Sequence, residues 1–356
     1  MSYLRIPFMM LAMINLLAGL WAGLIRMGWD FPVAPLAVNH GAIMVGGFLT
    51  TLIALEKVVP LKRNFVLVIP LTSALSLLMA IPGYFQPGLY FLIAGSVGLL
   101  MIHAYYLYLY PGDLSVRLML LGACCLVVGN SMLVQSKLYP AALPWWMGFL
   151  LLTITGERLE LSKFLPVGRN SKLLLLGLLA FFLVGVIMPF HGWGKYCSGI
   201  SMLSIAIWML KHDVMKIGLK KDGLMRFSSI ALVLANGWLI IEGILFIVLP
   251  ESALSYDMMV HVFFIGYVFS MIFAHGPIIL PGVLGITIKP YHPVLYGWLF
   301  LLHGSLLFRI GFDAVGNLPG RKITGLFTVA GILLYFITMV ILVIRARLKS
   351  IPPTRN

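Results

Sequence analysis

The stretch PFMMLAMINLLAGLWAGLI, residues 7–25, decides the fold class. It carries no charge, and Asn15 is its only polar side chain. An α-helix needs about 20 apolar residues to cross the hydrocarbon core of a bilayer. The stretch is too long for the core of a signal peptide, about 7–15 residues, and no small-x-small cleavage site follows it. It reads as a first transmembrane span.

Working outward, comparable apolar runs recur at 35–58, 65–84, 89–110, 115–136, 143–163, 171–191, 195–211, 226–249, 253–276, 292–313 and 323–346. Pro, Gly, Asp or basic residues bound each run, as stop signals do. Hydrophobic residues make up 61% of the 356 residues and charged ones 10%, and the mean hydropathy is +1.03. A soluble domain carries about 25% charged residues, so this composition excludes a water-facing globule. The expectation is an all-α polytopic membrane protein, residues 1–356 forming a single transmembrane helical domain of about 12 spans. No low-complexity segment and no clear internal repeat is visible.

A net charge of +14 invites a nucleic-acid partner, but the placement of the cations argues against one. They sit in loops between apolar runs. With the N-terminus inside, only Arg26, Lys137, Lys195, Arg321 and Lys322 fall in outer segments, while clusters such as Lys62-Arg63, Lys216 to Arg226 and Arg345 to Arg355 fall inside. Positive-inside bookkeeping then requires an even number of spans and both termini on the cytoplasmic side. Trp29, Trp145, Trp146 and Trp193 fall near outer span ends, where an aromatic belt is expected. Cys124, Cys125 and Cys197 fit no disulfide or zinc pattern and read as packing residues.

Ionisable side chains inside spans are expensive and mark function by default. His40 lies about one turn into the second span from the outer face, His261 about two turns into the tenth, and His303 is near the middle of the eleventh. At ~1.5 Å per residue the three fall within about 10 Å of one another in depth. His103 and His275 lie deeper, and at ~100° per residue His275 shares nearly one helix face with His261. All five are candidate metal ligands. Imidazole is the commonest metal and haem ligand, and small residues beside His40 (Gly41, Ala42, Gly46, Gly47) would let a flat macrocycle approach. The alternative is that each histidine makes an interhelical hydrogen bond and nothing more.

Among the charged groups, Glu157 and Arg158 close the sixth span, where Arg158 could hold a haem propionate, and Glu56 reads as interfacial. Glu242 and Arg309 sit in the outer half as expected mutual partners, with Arg309 a second propionate candidate. Met44, one turn beyond His40, is the one thioether placed to suit Cu(I). No Walker loop, Rossmann pattern, HExxH or GxSxG motif occurs in a sensible context.

The run Asn39-His40-Gly41-Ala42-Ile43-Met44-Val45-Gly46-Gly47-Phe48-Leu49-Thr50 resembles the second-span motif of the NnrS family. The tenth span, from Met258-Met259-Val260-His261 through Gly266, Ser270 and Met271, is similar to that family's His-initiated helix. Gly156-Glu157-Arg158 and Arg5-Ile6-Pro7-Phe8 also resemble its segments. The chain departs from the pattern at Val38 and Gly41, where the family has His-x-His-Glu, and at Leu280-Pro281-Gly282, where it has Gly-His. A weaker likeness is to the catalytic subunit of haem–copper oxidases, through His40 to Met44, but the adjacent histidine pair of the oxidase copper site is missing.

The resemblance implies a haem- and copper-containing protein of a bacterial inner membrane, linked to nitric oxide or another diatomic gas and served by an electron donor. Its bundle would be like haem–copper oxidase subunit I. The expected cofactor is haem b held by His40 and His261 with His303 close by; copper is the second expected metal. Two other classes stay open. One is a proton- or ion-coupled transporter that uses the same buried groups, with Pro277 and Pro281 breaking the tenth span. The other is a structural subunit of a respiratory assembly.

Overall fold

In hydrocarbon every backbone amide must bond within its own segment, which leaves the helix as the solution for an apolar run without a barrel pattern. The computed structural model describes residues 3–80, 84–163 and 165–349, and among them there is no strand. The end of the third expected span at 81–83, Arg355 and both chain termini lie outside these residues. Every apolar run is helical: α1 Ile6–Arg26, α2 Ala34–Leu61, α3 Val68–Ala80, α4 Phe85–Leu109, α5 Leu114–Ser136, α6 Tyr139–Leu161, α7 Arg169–Ile187, α8 Trp193–His212, α9 Gly223–Val248, α10 Ala253–Val283, α11 Val294–Ala314 and α12 Leu318–Lys349. Nine of the described helices are long and apolar enough to cross a membrane. The other three are α3, α6 and α8. Tyr139, Pro140, Pro144, Trp145 and Trp146 dilute the hydropathy of α6 and Lys195 that of α8, while α3 is described over only 13 residues.

Local chemistry starts and stops these helices. Pro7 sits in the first turn of α1, where a missing N–H costs nothing. Asp113 caps α5 by accepting from the Ser115 N–H at 2.8 Å, and Ser252 caps α10 by accepting from the Ser255 N–H at 3.0 Å.

The chain forms two compact units, Met1–Trp208 and Met209–Asn356. In each, successive helices pack side by side. Within the first unit, Phe149, Leu150, Leu151 and Leu152 of α6 are buried one after another. A helix buried on all faces has no lipid side. Trp146 belongs to that interior. Its indole N–H donates to Asn130 Oδ1 at 3.0 Å and the ring is 2% exposed, so it is a core residue rather than part of an aromatic belt. Trp193 is exposed.

Each unit contains one helix that opens into π turns. In α2 these are Ile43–Leu49, and in α10 Val262–Phe269. A π turn shifts the hydrogen bond to i→i+5 and is often found at functional sites. Both stretches follow a histidine, and both close on a hydroxyl. Thr50 Oγ1 donates to the Val45 carbonyl at 2.8 Å, and Ser270 Oγ to the Gly266 carbonyl at 2.5 Å. The helix before each carries a buried asparagine whose amide donates back one turn: Asn15 to Leu11 at 2.9 Å, Asn236 to Leu232 at 2.8 Å. The sequence shows no clear repeat, yet the two units share this device.

The π stretch corrects one expectation. Wider turns take more residues per revolution, so 100° per residue does not carry from His261 to His275, and His275 is rotated off the His261 face.

A second correction concerns Pro277 and Pro281. They do not break α10, which runs on to Val283. Pro277 has no N–H for the Phe273 carbonyl. Tyr335 of α12 supplies the missing donor, its hydroxyl 2.8 Å from that oxygen and its ring stacked on Phe273 with centroids 3.8 Å apart. Tyr335→Phe keeps the stack and orphans the carbonyl, so we expect a loss of about 1–3 kcal/mol. Thermal unfolding in detergent measures it; an unchanged midpoint would mean that the carbonyl finds another donor.

Candidate functional site

In the first unit, His40 points back at α1. Its Nδ1 lies 2.8 Å from the Gly19 carbonyl oxygen. A carbonyl only accepts, so Nδ1 carries the proton and the lone pair of the neutral ring is on Nε2. Glycine makes the approach possible: a Cβ on Gly23 would stand 3.0 Å from the His40 Cε1, and one on Gly19 would collide with the sulfur of Met44. His40 and Met44 therefore share a notch cut into α1 by Gly19 and Gly23.

The glycines of α2 serve a different purpose from the one expected. A Cβ on Gly46 would meet the Leu92 side chain at 2.5 Å, and one on Gly41 the Tyr139 ring at 2.9 Å. Gly47 is covered by Asn15. These positions bring neighbouring helices close. They do not form a slot for a macrocycle.

At the other end of α2, Lys57 bonds two carboxylates, Glu157 of α6 at 2.8 Å and Glu56 at 3.0 Å. Glu56 is thus part of a partly buried triad. Tyr106 donates its hydroxyl to the Lys57 carbonyl at 2.8 Å. One turn before Tyr106 on α4, His103 is 1% exposed and neither of its ring nitrogens has a hydrogen-bond partner among the described residues. Arg158 is buried on α6 beside Glu157.

In the second unit, His261 repeats the chemistry of His40. Its Nδ1 donates to the Asp257 carbonyl one turn back, at 2.7 Å, which again puts the lone pair on Nε2. The Asp257 carboxylate Oδ2 lies 3.3 Å from the same nitrogen. That oxygen also receives Arg309 Nη2 at 2.6 Å and Arg321 Nη2 at 2.7 Å. Arg321 Nε lies 3.0 Å from Asp313 Oδ1, and Arg309 Nε 3.9 Å from Asp313 Oδ2. His261 and Arg309 are thus brought together, through an aspartate that motif reading passed over. The i,i+4 pairs Asp257/His261 and Arg309/Asp313 are its signal in the sequence.

Arg309 does not pair with Glu242. That residue is fully buried in α9, and neither of its carboxylate oxygens has a hydrogen-bond partner among the described residues. His303 has the opposite tautomer to His261. The Trp238 indole, which only donates, gives its N–H to His303 Nδ1 at 2.6 Å. The proton of the neutral ring is then on Nε2, which has no partner among the described residues, and no lone pair is left for a metal. His275 donates Nδ1–H to the Met271 carbonyl at 2.8 Å, a third ring with its lone pair on Nε2.

Among the described residues no group of three or more His, Cys, Asp or Glu side chains is arranged to hold a metal ion. A haem iron asks less of the chain: an imidazole with fixed ring orientation and its Nε2 lone pair presented. His40 and His261 each have the ring orientation fixed, with Nδ1 as the donor.

No curated protein and no solved structure matches the chain. The family model described as Domain of unknown function (DUF8744) matches residues 5–344, and the chain belongs to that family.

Proposed function

We propose that this is an integral membrane haem b protein that binds or turns over a diatomic gas such as nitric oxide, or passes electrons from a donor, and that His40 and His261, each within its own unit, are iron ligands through Nε2. In this reading about 12 helices cross a bacterial inner membrane with both termini cytoplasmic, in a bundle like haem–copper oxidase subunit I. Copper is a second metal of the proposal, with Met44 beside His40 as its thioether. The NnrS likeness around His40 and His261 is one support.

The observation that carries the reading is the shared tautomer. Two histidines, each just ahead of a π stretch in a deeply buried helix, donate Nδ1–H to a backbone carbonyl and direct the lone pair to Nε2. When bound, the haem would supply a one-electron couple; were both histidines on one iron, a gas would have to displace one of them.

Absorption spectra of the purified protein test it. We expect a Soret band in the native protein, and its loss or conversion to a five-coordinate spectrum in His40→Ala and in His261→Ala. A native protein with no Soret band sinks the proposal, and His40→Ala with an unaltered spectrum removes that ligand.

A second reading, a proton- or ion-coupled transporter, is favoured by Glu242 and His103. Both are buried, with polar atoms that have no partner among the described residues, a cost that membrane proteins retain where it serves function. Haem content separates the two readings.

A further inference from the structure

We infer that Asp257 is a positioning residue for His261: its carbonyl fixes the ring, and its carboxylate sets how strongly Nε2 donates to a metal. The inference rests on the haem reading above and concerns only groups within the second unit.

A ligand imidazole is oriented and made more basic by the group that accepts from its other nitrogen. Here that group is double. The Asp257 carbonyl takes the Nδ1–H at 2.7 Å and the carboxylate Oδ2 stands 3.3 Å away. The first contact would exist for any residue at 257 in this helix. The second exists only for a side chain that carries an anion to that place.

The carboxylate is itself held from two further helices, by Arg309 of α11 and Arg321 of α12 at 2.6 and 2.7 Å. Both guanidiniums pull on the oxygen that faces the imidazole. They draw on the charge of that oxygen and so temper its effect on the ring. Asp313 offsets the second arginine from the far side, so two carboxylates and two guanidiniums balance. A network that served only to join helices would need neither the histidine contact nor two cations on one oxygen.

Two haem-loaded variants test this by opposite signs. Asp257→Asn keeps the carbonyl bond and removes the anion. We expect haem to bind about ten- to hundredfold more weakly, with the ferric low-spin EPR g-tensor shifted toward a weaker histidine donor. Arg321→Gln strips one cation from the carboxylate while Arg309 still holds it, and the g-tensor should shift toward a stronger donor. A through-space charge alone would move the reduction potential and leave the g-tensor in place. A purely structural network would weaken both variants in the same direction.

Unchanged g-tensors, or shifts of the same sign, overturn the inference with the haem reading intact. If Asp257→Asn fails to fold, Arg321→Gln decides alone: a stronger-donor shift supports the inference and no shift overturns it. A native protein that purifies without haem overturns the haem reading, and this inference with it.

Discussion

Arg309→Met should cost the protein roughly 3–5 kcal/mol, the scale at which removing one partner of a buried ion pair leaves an uncompensated charge. The Arg309 side chain is 5% exposed and Asp313 not at all. Without Arg309, two carboxylates share one cation, Arg321, in a region with little water to take its place. Arg309→Lys restores the charge but not the planar fork that reaches Asp257 and Asp313 together, so it should recover only part of the loss. The double variant Arg309→Met/Asp257→Asn removes an anion with the cation. We expect it to be more stable than Arg309→Met alone, with a coupling term of about 0.5–3 kcal/mol in a double-mutant cycle. Unfolding in mixed detergent measures all three. An Arg309→Met protein within half a kilocalorie of the native one, on the scale of about 0.5 kcal/mol typical of surface changes, would mean that the network is not holding α10 to α11.

That cluster shows what a linear reading can and cannot reach. Hydropathy locates the helices because the cost of apolar surface in water is local and additive: residues 7–25 predict α1, found at Ile6–Arg26. The end of α10 was misplaced at 276 because its continuation depends on a hydroxyl at position 335, a distant residue that rescues one carbonyl. Gly46 and Gly47 were legible as close approaches, but not what approaches them. Leu92 and Asn15 fill the notches that a macrocycle was expected to use.

Arg321 was legible as a charge and misread as a loop cation, since it follows an apolar run; its partners on α10 and α11 are invisible to a count. The shared device of the two units was hidden for a simpler reason. From Asn15 to His40 and from Asn236 to His261 is 25 residues, but from His40 to Thr50 is ten and from His261 to Ser270 nine, so the closing hydroxyls fall one residue out of register. The tautomers of His40, His261 and His303 follow only from which neighbour accepts or donates, and no spacing rule contains that.

At the opposite end of α2, Lys57→Met should also cost about 3 kcal/mol or more. Its ammonium, 13% exposed, is bonded to the carboxylates of both Glu56 and Glu157. Removing it puts two acids side by side in a partly dry pocket with the cation gone. The effect should be concentrated where α2 meets α6, because Glu157 is the member of the triad from another helix. Lys57→Met/Glu157→Gln tests that placement: it should regain more stability than Lys57→Met/Glu56→Gln, since Glu56 at 26% exposure can still turn toward water. Hydrogen exchange at the last turns of α2 and α6 should rise in Lys57→Met and fall back in the first double variant. If the second double variant recovers more, the triad is centred on α2 alone and Glu157 is a bystander. Were Lys57→Met as stable as the native chain, the two carboxylates would have to be served by cations already beside them. Arg158, buried one residue past Glu157, would then be the first to replace.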